Sequence, residues 1–251
     1  MDTSTVETLF QLNGRFYREN CMSFEASRHN SWPGWERCLA HLGQRVEPVR
    51  LLDVACGNLR FERFLARELP ATPFAITACD SCDELAADEA PATTYRHVDI
   101  GAALLAGEKD FLTQLGTFDI VACFGFMHHV PTVALRVRLL EAIAESLSTG
   151  GLAFITFWRF ADDAELRDRA IASDERARAS LAIPPLDDGD FLVGWDNDPH
   201  AVRYCHSFTD GEIDELAHSC NTLSPLDRFD SDGRTRAMNT YLVMEKVPPR
   251  L

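Results

Sequence analysis

Three acidic residues stand at the ends of apolar runs: Asp53 in the stretch Leu51 to Asn58, Asp80 closing FAITACD, and Asp99 after YRHV. A carboxylate at such a position can accept two hydroxyl protons, as the paired hydroxyls of a ribose would offer them. The small residues Ala55 and Gly57 follow Asp53 and allow a backbone turn to approach a ligand, with Asn58 leading into a helix whose first N–H groups are free. Ser81 lies beside Asp80, and Ile100 beside Asp99 forms a polar and apolar pair suited to the amino group and flat face of a purine. The glycine pattern of a pyrophosphate-binding dinucleotide fold is absent, since Ala55, Gly57 and Phe61 do not make GxGxxG.

A second set lies further along. His128 and His129 follow the fourth apolar run, which ends near Cys123, and an imidazole there can take a proton from a hydroxyl or amine. Adjacent residues point apart, so one histidine is expected at the site and the other packed elsewhere. A carboxylate acceptor would need no base, being already ionised, and would require only alignment. Trp158, Arg159, Arg203, Tyr204 and His206 could form a cationic and aromatic acceptor pocket. Arg28, on a polar connector, can hold a carboxylate by a bidentate pair, and Trp32 and Trp35 either cover the site or join the core. Cys79 and Cys82 make a CxxC without a second ligand pair at metal spacing, so no metal is expected.

These residues need a scaffold. From Val49 the text reads strand, small-residue turn, then Phe61, Phe64, Leu65 and Leu69 at helical spacing. FAITACD, YRHVDI and FDIVACF continue as strands, Leu135 to Leu147 presents one helical face, and LAFITFW follows Thr149-Gly150-Gly151 as a fifth strand. Apolar strands alternating with helices predict an α/β fold with a doubly wound, mostly parallel sheet. The expected organisation is one domain: a helical N-terminal cap over 1–45, a core over 46–160, a lid insertion after strand five over 161–206, and a C-terminal helix and hairpin over 207–251. Thr209 or Asp210 caps that last helix.

Composition narrows the partners. Of 251 residues, 24 are Lys or Arg and 39 Asp or Glu, a formal net charge of −15 that excludes a generic nucleic-acid-binding surface. The eight cysteines are scattered, the N-terminus has no basic segment leading into an apolar one, and no stretch approaches the length of a bilayer span. A cytoplasmic protein away from membranes is expected.

The ordered set, an acid-and-glycine loop after strand one, an acid after strand two, Asp after strand three and FDIVACFGFMHHV after strand four, resembles the class I S-adenosylmethionine-dependent methyltransferases over Leu51 to Trp158. The resemblance implies a seven-stranded sheet with an antiparallel last strand, S-adenosylmethionine as cofactor and S-adenosylhomocysteine as product. It departs from the family in its loop, where Ala55 and Leu59 replace two glycines. A narrower set of short motifs is similar to the eukaryotic tRNA wobble-uridine methyltransferases that esterify a carboxymethyl group. It comprises Ser23-Phe24 with Arg28 and Trp32-Pro33, His128-His129 with Thr132 and Arg136, Ile155 to Trp158, and DFLVGW followed by Arg203-Tyr204, His206, Phe208 and Gly211-Glu212. That likeness implies a tRNA acceptor and a small zinc-containing activating partner, whereas the net charge favours a small-molecule acceptor. The alternatives are a cofactor-binding module without catalysis and, less consistent with the loop, a nucleotide-dependent oxidoreductase.

Overall fold

The computed structural model describes residues 1–27, 30–43, 48–86, 89–195 and 198–248. Five parallel strands form its centre: β1 (Val49–Val54), β2 (Phe74–Asp80), β3 (Thr93–His97), β4 (Phe118–Cys123) and β5 (Leu147–Trp158). An insertion after β5 contributes a separate antiparallel pair, β6 (Asp190–Trp195) and β7 (Asp198–His206), and a C-terminal hairpin of β8 (Leu223–Ser231) and β9 (Asn239–Lys246) completes the main sheet. The seven-stranded order is β3-β2-β1-β4-β5-β9-β8, with β9 antiparallel to β5. The reversal from β1 to β4 opens a crevice at the carboxyl ends of the strands, where ligands enter such sheets.

Side-chain alternation explains why both faces are covered. Leu52, Val54 and Val121 face one core with α5 (Val133–Ser146) and α7 (Asp210–Ser219), while Leu51, Ile120 and Ala122 face another with α2 (Pro33–Leu39) and α3 (Arg60–Glu68). A capping box at Thr209 and Glu212 starts α7, as its sequence predicts. A third core lies above the strand ends. Leu9 and Leu12 of α1 (Thr3–Ala26) meet Ala177 of α6 (Ala164–Leu181) and Leu192, Val202 and Tyr204 of the β6–β7 pair.

Three features differ from expectation. Helix α1 continues through Ser23 and Phe24, where a connector is expected, because the Phe24 ring packs 5.1 Å from Tyr17 and 5.6 Å from Trp195. Strand β3 ends at His97, and Asp99 instead caps α4 (Ile100–Ala106), accepting a 2.9 Å bond from the Ala102 amide. The lid insertion is built of a helix, α6, and a β-hairpin packed together rather than of an irregular segment. The helix buries Ala170, Ser173, Asp174 and Ala177, with the Asp174 carboxylate accepting the Leu192 amide at 2.9 Å.

Candidate active site

The loop after β1 carries the backbone geometry of a glycine loop with one glycine. Ala55, Gly57 and Leu59 all adopt left-handed φ, at 59°, 55° and 54°. A side chain at Leu59 is accommodated because it turns into the core, where it is 2% exposed. Gly57 faces open space, with no atom within 4 Å of where a Cβ would sit, and its amide donates to Asp80 Oδ2 at 2.9 Å. The Cys82 amide donates to the other oxygen, also at 2.9 Å. Burial raises the Asp80 pKa and these amide bonds oppose the rise.

Beneath the loop lies a second carboxyl that sequence reasoning missed. Glu62, on the first turn of α3, is fully buried, and neither oxygen has a hydrogen-bond donor. Its neighbour is Asp53, so a bond between the two forms only when one carries a proton. Burial is the main cause raising both carboxyls: Asp53 is held well above the carboxylate range, with Glu62 and Asp80 adding to the rise, and Glu62 is pushed to about 7. In the sequence Glu62 reads as an ordinary first-turn acid, favoured there by the helix dipole, and only its burial sets it apart.

A cavity of about 1050 Å³ runs over the strand ends. Asp53, Ala55, Gly57, Asn58, Asp80, Ser81, Asp99 and Ile100 line one end, and His128, His129, Trp158 and Arg203 line another region with Asn13, Tyr17 and Phe24 of α1. Trp32 and Trp35 also line it. Arg28 lies outside the described residues.

The two histidines do not point apart. They occupy a 3-10 turn, Met127–His129, where successive side chains are roughly 120° apart, and their rings lie 4.1 Å from each other with both on the cavity wall. His129 is saturated: Nε2 lies 2.7 Å from the Tyr17 hydroxyl, and Nδ1 lies 2.9 Å from the Tyr204 carbonyl. With Nδ1–H donated to that carbonyl, Nε2 accepts from Tyr17. Burial, reinforced by Arg203, pushes the His129 pKa down to about 3, so it is a weak base that fixes Tyr17 instead. His128 lines the same wall, its ring 5.0 Å from Trp158.

Four expected site residues lie off the cavity wall. Cys123, the last residue of β4, is fully buried in the core. Arg159 is neutralised by Asp162 at 2.7 Å and Asp210 at 3.0 Å. Tyr204 is fully buried, its hydroxyl donating to Asp190 at 2.7 Å and accepting from Arg136 at 3.2 Å. His206 is held between Asp190 at 2.7 Å and Glu212 at 3.0 Å. Alternation along β7 explains the division: Tyr204 and His206 face the core side, and Arg203 the cavity.

The site suits a ligand that is cationic at one end. The carboxyls of Asp53, Asp80 and Asp99 line that end of the cavity around the open space over Gly57, while Glu62 lies buried beneath them, off the cavity wall.

Comparison with known proteins agrees. The sequence matches the family described as "Methyltransferase domain" (Methyltransf_23) over residues 27–219. It is 26% identical over 196 residues, 77% of this chain and 79% of the other, to a protein of Encephalitozoon cuniculi (strain GB-M1) provisionally named a methyltransferase. Among solved structures, the Burkholderia thailandensis 1,6-didemethyltoxoflavin-N1-methyltransferase, with bound 1,6-didemethyltoxoflavin and S-adenosylhomocysteine, superposes with a TM-score of 0.53 at 18% identity. The match covers 86% of this chain and 77% of that one. A Haloferax volcanii chain in a complex between the Trm112 methyltransferase activator and a methyltransferase gives 0.55 at 12% identity, covering 92% and 96%.

Proposed function

Because the chain belongs to the methyltransferase-domain family, we propose that it transfers a methyl group from S-adenosylmethionine to an oxygen or nitrogen nucleophile of a small molecule. The observation that carries this reading is the acidic cradle of Asp53, Asp80 and Asp99 around Gly57, continuous with a second wall of His128, Trp158 and Arg203. When bound, S-adenosylmethionine supplies an electrophilic methyl group on a sulfonium centre.

The chain's own residues bind, orient and deprotonate. Asp80, its orientation fixed by two backbone amides, accepts the ribose hydroxyls. Asp53 and Glu62, sharing a proton beneath the loop, would hold it in shape, and Ile100 and Asp99 would bracket the adenine. His128 takes the proton from a hydroxyl or amine acceptor, while Tyr17 and Trp158 exclude water and align it. Residues 1–45 and 161–206 then act with the core as one unit. Eight free cysteines fit a reducing compartment such as the cytoplasm, and no helix among the described residues is long and apolar enough to cross a membrane.

A second reading, methylation of a carboxymethyl uridine in tRNA with a small activating partner, is favoured by the order of short motifs from Ser23 to Glu212. The net charge of −15 opposes it. Transfer of radiolabelled methyl to a protein-free metabolite extract and to bulk tRNA separates the two, with Asp80→Ala as control. Label in metabolites is expected. Label in tRNA alone would replace the small-molecule reading. Wild-type affinity for S-adenosylhomocysteine in Asp80→Ala would remove Asp80 from the cofactor site.

A further inference from the structure

Arg203 is a buried cation without an anion. It is 4% exposed on β7 and lines the cavity, yet Nε and Nη1 have no hydrogen-bond acceptor, and among the described residues no carboxylate forms an ion pair with it. Its position is fixed. The guanidinium carbon lies 4.8 Å from the Phe16 ring centroid and 5.0 Å from that of Trp195, whose indole N–H donates to Ser23 Oγ at 2.9 Å. The groups around it offer no countercharge. The Cys205 thiol is raised by burial to about 11, against the pull of Arg203, and His129 is neutral. Every other buried arginine pairing seen at this end belongs to Arg136, which meets the Val130 carbonyl, Tyr204 and Asp190.

A desolvated charge is tolerated when a partner repays its lost hydration. The chain supplies none among the described residues, so the partner comes with the ligand. We propose that the acceptor end of the cavity is a receptor for one carboxylate group, that Arg203 is the cation that receives it, and that the acceptor is a small aryl carboxylic acid. The aromatic walls of Tyr17, Phe24 and Trp158 fit its ring. A single guanidinium balances one negative charge, which favours a carboxylate over a phosphate monoester dianion. The cavity is then bipolar, with carboxyls where a cationic cofactor belongs and a guanidinium where an anionic acceptor belongs. This deepens the methyltransferase reading and rests on it for the term acceptor.

The test is equilibrium binding of benzoate, benzamide and phenyl phosphate to the full chain, read by tryptophan fluorescence and calorimetry, with S-adenosylhomocysteine titrated separately. Benzoate is expected to bind at least tenfold more tightly than benzamide, and added sodium chloride to weaken it. Arg203→Gln should erase that preference and Arg203→Lys retain part of it, both without changing S-adenosylhomocysteine affinity. Equal binding of benzoate and benzamide would overturn the proposal, as would preference persisting in Arg203→Gln or tighter binding of phenyl phosphate. Should Arg203→Gln not fold, Arg203→Lys and the salt dependence of the wild type decide. Benzoate preference without S-adenosylhomocysteine binding would sink the methyltransferase reading alone; the reverse pattern would sink the carboxylate receptor alone.

Discussion

Glu62 and Asp53 share a problem that only a proton solves. With the Glu62 pKa raised to about 7 from 4.5 in an unfolded chain, the protonated carboxyl supports the fold fully below pH 4.5, and that support disappears as pH rises through 7. Glu62→Gln keeps the shape and removes the titration. Urea denaturation should therefore show the wild type losing of order 2 kcal/mol relative to Glu62→Gln between about pH 5 and pH 8. Parallel stability curves would mean that the pair is ionised or solvated at neutral pH. His129 titrates in the opposite sense. Its neutral form is favoured above the unfolded value of 6.5 and is opposed as pH falls towards 3, so the comparison with Glu62→Gln isolates the carboxyl.

At the scale of elements, the insertion is pinned by one buried network. Asp190 at the start of β6 accepts from Tyr204 and faces Arg136 and His206, joining β6, β7 and α5. Asp190→Ala leaves Arg136 buried without its carboxylate and should cost roughly 3–5 kcal/mol. Hydrogen exchange should accelerate first in β6, β7 and α6; uniform acceleration across the seven-stranded sheet would contradict a locally acting network. Sequence periodicity revealed the sheet because apolar strands such as VRLLDV and FDIVAC are buried on both faces. The tight turn after β1 was legible from Ala55 and Gly57, but not the left-handed backbone at Ala55 and Leu59, which non-glycine residues adopt only where the surroundings impose it. The acceptor wall was half legible. Arg203 and Trp158 stood out as types, whereas Asn13, Tyr17 and Phe16 looked like ordinary helix residues. Their role comes from a contact with β7 that no local pattern encodes.

Over the whole molecule, the net charge of −15 sets a background of self-repulsion. Raising sodium chloride from about 20 mM to about 500 mM should raise Tm by a few degrees as that repulsion is screened. A falling Tm would show that surface pairs such as Arg159 with Asp162 and Asp210 outweigh it. The bond pair between the Asn13 side chain and the Tyr204 backbone has a further consequence. Those residues are 191 positions apart, and Tyr17 meets His129 across 112. The pocket's far wall is thus closed by contacts of very high sequence separation, whose chain-closure entropy is met late in folding. On the ribosome, the segment carrying the acidic loop emerges long before β7. A nascent chain would collapse around its central strands first and acquire its acceptor wall last, during a window in which Val6 and Phe10 of α1 can already pack on α4 but Leu9 and Leu12 still lack Val202 and Tyr204 of β7.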